Sequence, residues 1–218
     1  SVRVRIDAGS PLEEDSELGY AHLLEHLLFR ESRYLGPAEA IPTWQRLGAT
    51  FGSDTNAETS PTHTVYKLDL PNVNEAKLAE SMKLLSGMVR SPVLSDANVK
   101  AEVPIVMAEK RERGGPGERA GNASREVLFS GQRLATRTPI GTEETLGAAT
   151  GDSVSAFYKR WYRPENAVIV AAGDMDPLQL AAEIEKWFGD WQGEGPAVPA
   201  PDFGDPVAPA GADPENPV

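Results

Sequence analysis

Three features of the sequence predict an α+β fold. The chain opens on Ser1-Val2-Arg3-Val4-Arg5-Ile6, an alternation of polar and β-branched residues that marks a half-buried strand. Segments with apolar residues at helical spacing then dominate from residue 74 to residue 162, and a short apolar run at Ala167 to Ala172 reads as a second kind of strand. A length of 218 residues is enough for one substantial core. The expected organisation is one domain over 1–192 and a tail over 193–218, where the composition turns to Pro, Ala, Gly and acid with almost no large apolar residues. Apolar runs are too short to cross a bilayer, so a soluble protein without a membrane span is expected. The start shows neither an initiator Met nor a signal-peptide core and reads as that of a processed or cloned fragment.

After the opening strand, a polar acidic loop from Pro11 to Glu17 leads into a helical run over Leu18 to Phe29. Pro42 to Leu47 reads as a short helix stopped at Gly48, and Ala49 to Thr55 and Thr62 to Leu70 as strands around a polar turn. Leu78, Met82, Leu85 and Met88 mark a helix over Asn74 to Val89, which Ser91-Pro92 breaks. Ser95 or Asp96 caps the next helix, which extends to Arg113. Gly-Gly-Pro-Gly at 114–117 interrupts the pattern before a helix over Glu118 to Phe129. Helix Asp152 to Tyr162 precedes the strand at Ala167, and Pro177 opens a final helix through Phe188. No internal repeat is visible.

Charge and composition exclude several functions. Lys and Arg total 21 against 33 Asp and Glu, a formal charge of −12 that repels a polyanion, so no nucleic-acid partner is expected. The absence of cysteine removes disulfides, thiolate metal sites and cysteine nucleophiles, and it suits cytoplasm and periplasm equally, leaving the compartment open.

Two of the three histidines, His22 and His26, lie four apart with Glu25 between them, in Ala21-His22-Leu23-Leu24-Glu25-His26-Leu27-Leu28-Phe29. Four helical residues turn about 40° past a full circle, so both imidazoles point one way and can share an ion. Glu25 lies about 60° to the other side of His22, within reach of a water at that ion without being a ligand. Leu23, Leu24, Leu27, Leu28 and Phe29 make the helix apolar elsewhere, and burying the polar trio unpaired would cost several kcal/mol. Zinc supplies the missing partner, since catalytic zinc takes three protein ligands plus water and favours neutral imidazole. The bland alternative is a helix whose histidines and glutamate merely bond to neighbours.

The segment resembles the inverted zinc peptidases of the pitrilysin, insulysin and mitochondrial-processing-peptidase group, peptidase family M16, whose signature is His-x-x-Glu-His. The resemblance extends over most of the chain and implies a mainly antiparallel sheet covered by helices. It implies that a downstream helix completes the metal shell with a glutamate preceded seven residues earlier by a supporting acid. Ala101-Glu102-Val103-Pro104-Ile105-Val106-Met107-Ala108-Glu109 carries that pair, giving Glu109 as third ligand and Glu102 as the acid that supports catalysis. Asn56-Ala57-Glu58-Thr59, followed by His63-Thr64-Val65-Tyr66, resembles the family's edge strand, and there Asn56 and Ala57 are the candidate substrate contacts. Pro139 to Thr142, Tyr162 to Asn166 and Gly173 to Asp176 are similar to further recurring segments. Two departures stand out. The spacing from His26 to Glu109 is several residues longer than usual, which an insertion before Asn56 or near Ser91 would explain and which leaves Glu112 as a rival ligand. Pro104 falls inside the helix and should kink it.

The remaining candidates receive structural readings. His63 sits among Thr and Tyr at strand spacing and is read as a packing or hydrogen-bonding residue. Asn56 is equally a turn residue or a substrate contact. Lys110 to Arg113 reads as a solvated helix end, and tryptophans 44, 161, 187 and 191 as packing residues. The function this implies is zinc-dependent endopeptidase activity, with peptide bonds hydrolysed by a metal-activated water and Glu25 as general base. Peptide or unfolded polypeptide is the substrate, and a second homologous half, on the same chain or a partner subunit, is needed for full activity. Two alternatives belong to other classes: a noncatalytic bracing subunit of a processing-peptidase-like assembly, and a zinc held only as a structural staple.

Overall fold

The alternation at the start of the chain becomes a central strand. In a computed structural model that describes residues 1–208, β1 (Val2–Ile6) buries Val2, Val4 and Ile6 and turns Arg3 and Arg5 outward. It pairs antiparallel with β3 (Thr64–Leu68) on one side and β4 (Ala167–Ala171) on the other, Val4 lying opposite both Tyr66 and Ile169. Strand β2 (Thr55–Thr59) joins the outer side of β3, so the sheet has the order β2-β3-β1-β4 with every neighbour antiparallel. Alternation places Tyr66 and Leu68 on the same inner face as Val4, the face that α1 (Tyr20–Leu28) covers with Leu23, Leu24, Leu27 and Leu28, all essentially sealed from water.

The α+β expectation and the antiparallel sheet both hold. Helix α2 spans Ala40–Arg46, α3 Glu75–Arg90, α4 Asp96–Arg113, α5 Pro116–Leu128, α7 Gly151–Trp161 and α8 Pro177–Phe188, each within two residues of its predicted bounds. The caps are chemical: Asn74 accepts from the Lys77 N–H and Ser95 from the Asn98 N–H, each tying down a donor that a helix start leaves open. Helix α4 runs unbroken through Pro104. One short helix, α6 (Glu143–Ala148), escapes sequence reading because its six residues bury only Thr145 and Leu146, too few to show a period. The strand expected over Ala49 to Thr55 is also corrected. Gly52 adopts φ 94° and the Asp54 carboxylate accepts the Thr50 N–H at 2.8 Å, so local turn chemistry holds 50–54 as a loop and β2 starts at Thr55.

Residues 193–208 carry neither helix nor strand. Backbone bonds of 2.8 Å from Arg133 N–H to Phe203 O and from Val207 N–H to Ser130 O lay part of it against the turn after α5. Residues 209–218 of the expected tail lie outside the described residues. Among the described residues no helix is long and apolar enough to cross a membrane.

Candidate metal centre

The site is built on α1, and the chain prepares the start of that helix with a buried acid. Glu13, fully buried, accepts the Gly19 N–H through Oε2 and the Ala21 N–H through Oε1, both at 2.9 Å, satisfying two of the four donors a helix N-terminus leaves open. Gly19 itself sits at φ 94°, where a Cβ would come within 2.9 Å of the Gly141 backbone, so glycine is required at this joint. Burial pushes the Glu13 carboxyl up to about 8, against the pull of the two backbone bonds and of Arg137.

One turn further on, the two histidine rings face a common point. His22 Nε2 lies 3.5 Å and His26 Nε2 3.4 Å from Glu109 Oε2, and the three donor atoms lie within 4.8 Å of one another. Bonds of about 2.0–2.2 Å to a tetrahedral zinc would hold neighbouring donors about 3.4 Å apart, so the observed separations fit that ion. Helix α4 supplies Glu109 because Val99, Glu102, Val106 and Glu109 recur on one stripe, and Val99 and Val106 bury that stripe in the core beside α1. Burial, then the charges of His26 and Arg113, drives His22 down to about 3 and keeps it a neutral imidazole, the form a metal needs.

Around this triad, outer contacts hold His26 and Glu109. His26 Nδ1 and Glu102 Oε1 are 2.9 Å apart, and the Arg30 guanidinium donates to Glu102 Oε2 at 2.8 Å. This Arg30-Glu102-His26 relay holds the ring with Nε2 turned inward. Burial pulls His26 down, but the Glu102 bond and the charges of Glu25, Glu102 and Glu109 outweigh it and leave it raised. Burial likewise pushes Glu102 up, and the bonds from His26 and Arg30 more than reverse it. Arg113, one turn beyond Glu109, ion-pairs with the Oε1 of that carboxylate. His22 Nδ1 is buried with no hydrogen-bond partner among the described residues.

Glu25 is buried on the same helix as the two histidines and lies outside the set of three clustered donors. Its Oε2 accepts a 2.6 Å bond from the Thr59 hydroxyl on β2. Burial raises Glu25, and the Thr59 bond opposes that rise. On β2, the bonds Asp69 N–H to Asp54 O and Ser60 N–H to His63 O fix the phase of the ladder to β3. By alternation, Thr55, Ala57 and Thr59 turn their backbone groups to the outer edge of the sheet, where the 50–52 loop takes up those of Thr55. Asn56 Oδ1 accepts the Ala57 N–H at 2.9 Å while its Nδ2 donates to Gly52 O at 3.2 Å, so this side chain both shapes the turn and caps the open edge. A hollow of about 480 Å³ opens beside His26, with Glu25, Phe29, Ile41, Phe51 and Ile105 among its walls.

The other candidates lie elsewhere. Glu112, the rival to Glu109, is exposed and outside the cluster of donor atoms that His22, His26 and Glu109 form. His63 Nδ1 lies 2.8 Å from Thr62 Oγ1 and 3.1 Å from Ser60 Oγ in the hairpin turn, the hydrogen-bonding role expected of it. Trp44, Trp161 and Trp191 are buried and Trp187 half-buried. Sequence reading assigned no role to Glu13, Arg30 or the Thr59 hydroxyl and took Arg113 as part of a solvated helix end, whereas it pairs with Glu109. Arg30, four residues beyond His26, and Arg113, four beyond Glu109, carried a signal in their helical spacing, whereas Glu13 and Thr59 reach the site only through the fold.

Residues 1–113 match the family model described as insulinase (peptidase family M16), and residues 148–217 match that of the peptidase M16 inactive domain. The chain is 33% identical over 182 residues to the "Probable zinc protease PqqL" of Escherichia coli, covering 84% of this chain and 20% of that protein. It is 29% identical over 203 residues to the chloroplastic stromal processing peptidase of Oryza sativa subsp. japonica, covering 91% of this chain and 16% of the relative. Among solved structures, the first half of the periplasmic protease PqqL from Escherichia coli superposes with a TM-score of 0.85 at 31% identity, over 91% of this chain and 42% of that one. Pitrilysin shares the fold, with a TM-score of 0.78 at 22% identity over 95% of this chain and 22% of the other. The chain thus spans a fifth or less of the length of these two curated relatives.

Proposed function

This chain belongs to the insulinase family, peptidase family M16, and from that premise we propose that it is the zinc-holding part of an endopeptidase, with His22, His26 and Glu109 as the ligands. The observation that carries the reading is the convergence of those three donor atoms within 4.8 Å, with the Glu25 carboxylate buried alongside as a non-ligand. Zinc, when bound, supplies Lewis acidity to a water and to the scissile carbonyl.

The rest of the chemistry belongs to the chain. Glu25 takes a proton from the attacking water and returns it to the departing amine, so one carboxylate serves as base and then as acid. Glu102 holds His26 in orientation and touches no reacting atom. An extended substrate adds to the free edge of β2, where Ala57 offers its N–H and C=O once the Asn56 amide has given up its bond to that N–H. Backbone pairing gives affinity with little sequence preference. A bulky apolar residue beside the scissile bond fits the hollow walled by Phe29, Ile41, Phe51 and Ile105, which supplies selectivity. A second homologous half, covering the cleft from the other side, completes the enzyme. Its existence is supported by the small fraction of the relatives' length that this chain spans.

The test compares the full-length protein with Glu25→Gln. Stoichiometric zinc in both proteins, with hydrolysis of an unfolded polypeptide lowered about 10²–10⁴-fold in the variant, is expected. A zinc-free, inactive protein would replace this reading with that of a bracing subunit, and an active variant matching its parent would remove Glu25 as the base.

A further inference from the structure

Glu25 has two oxygens, and the fold treats them differently. Oε2 receives the Thr59 hydroxyl at 2.6 Å, while Oε1 has no hydrogen-bond partner among the described residues. Hydroxyl accounting makes Thr59 the donor to an ionised Glu25. The next hydroxyl, Thr64 Oγ1, is 3.5 Å from Thr59 Oγ1 and gives its own proton to Ala8 O at 3.0 Å. The Thr59 proton therefore has one good acceptor, the carboxylate, and a short O–H···O⁻ bond is the strong kind. Thr59 is also the last residue of β2 and is paired with Thr64 across the hairpin, so its position is set by the sheet. Its backbone faces the same free edge as Ala57.

We propose that Thr59 is a positioning residue for hydrolysis: it pins Oε2 of Glu25, leaves Oε1 free to act on the attacking water, and ties the base to the strand along which the substrate lies. The inference rests on the peptidase reading above and adds to it a cause for the orientation of the base. A β-branched side chain suits this task because its χ1 is stiff in a strand. Without the bond, the carboxylate is free to turn, and a displacement on the order of 1 Å at a catalytic group costs about 10²-fold in rate.

The experiment uses the full-length protein with Thr59→Val, which keeps the shape and removes the hydroxyl, and Thr59→Ser, which keeps the hydroxyl. Thr59→Val is expected to lower kcat about 10–100-fold, with KM for an unfolded polypeptide and affinity for zinc each within about twofold of the parent. Thr59→Ser is expected to recover most of kcat. Crystal structures of the two variants supply a readout independent of turnover: Glu25 should leave its position in Thr59→Val and keep it in Thr59→Ser, with His22, His26 and Glu109 unmoved in both. An unchanged kcat in Thr59→Val, equal losses in both variants, or a Glu25 that stays in place without the hydroxyl would each overturn the proposal. A parent protein that binds zinc yet cleaves nothing would count against the peptidase reading instead, and the crystallographic comparison would still decide whether Thr59 pins the carboxylate.

Discussion

Replacing Glu13 by Gln should flatten the dependence of folding stability on pH. Two effects compete at this carboxyl: the open N–H groups of Gly19 and Ala21 and the positive end of α1 favour its charged form, while complete burial opposes it. Burial is the larger, and the group titrates at about 8 in place of 4.5. Between those values the folded chain holds a proton that the unfolded chain has released. Stability is therefore fully present below pH 4.5 and lost as pH rises through 8. At ~1.4 kcal/mol per tenfold change in proton affinity, the linked loss has an upper bound of about 5 kcal/mol. Urea unfolding of parent and Glu13→Gln, followed by circular dichroism between pH 5 and pH 9 with chelator present, isolates the effect because every other titrating group is common to both. The stability of the parent relative to the variant should fall from pH 5 to about pH 8 and level off by pH 9. A difference that stays level, or that grows with pH, would show that capping of α1 outweighs burial and that Glu13 is ionised in the fold.

Two further outcomes follow from the same contacts. Glu102→Gln removes the charge that orients His26 and binds Arg30, so the zinc dissociation constant, measured by chelator competition, should rise about 10–100-fold, and an unchanged value would show that the relay does not tune the ligand. Leu27→Ala empties a site with no exposed surface between α1 and the sheet and should cost ~2–5 kcal/mol, read as a lower urea midpoint at constant slope; a loss under ~1 kcal/mol would mean the core closes over the gap.

The helices and the metal motif were legible in the sequence because both obey local periods. His22 and His26 share a face at any helix position where they stand four apart, and Asn74 and Ser95 cap their helices with side-chain bonds made within three residues. What could not be read is whatever depends on contacts distant in sequence. Thr59 meets Glu25 across 34 positions and Arg30 meets Glu102 across 72, and neither partner changes the local pattern around the other. The strand misplaced at Ala49 failed for the opposite reason: the run is apolar and polar in the right places, but Gly52 and Asp54 impose a turn that local hydrophobicity does not report. Glu13 is the hardest case, since an acid in an acidic loop reads as solvated until the fold supplies two backbone donors and removes the water.

The two glutamates of α4 show why the spacing of seven matters. Seven residues return to nearly the same face of the helix but advance about 10.5 Å along it, far more than the width of an imidazole. Glu102 and Glu109 therefore approach His26 from different ends of the ring, Glu102 at Nδ1 and Glu109 beside Nε2. A spacing of three or four would keep the face but crowd both carboxylates at one end, leaving one ring nitrogen untended and two negative charges in contact. Pro104 lies between them and lacks the N–H that an internal helical residue normally donates, yet the two carboxylates still meet opposite nitrogens of one ring. The stripe survives because Val99 and Val106, buried on the same face, fix the rotation of α4 against its neighbours on either side of the proline. The aim of the two carboxylates is thus set by packing, which makes Val106 as much a determinant of how they meet the His26 ring as the charges themselves.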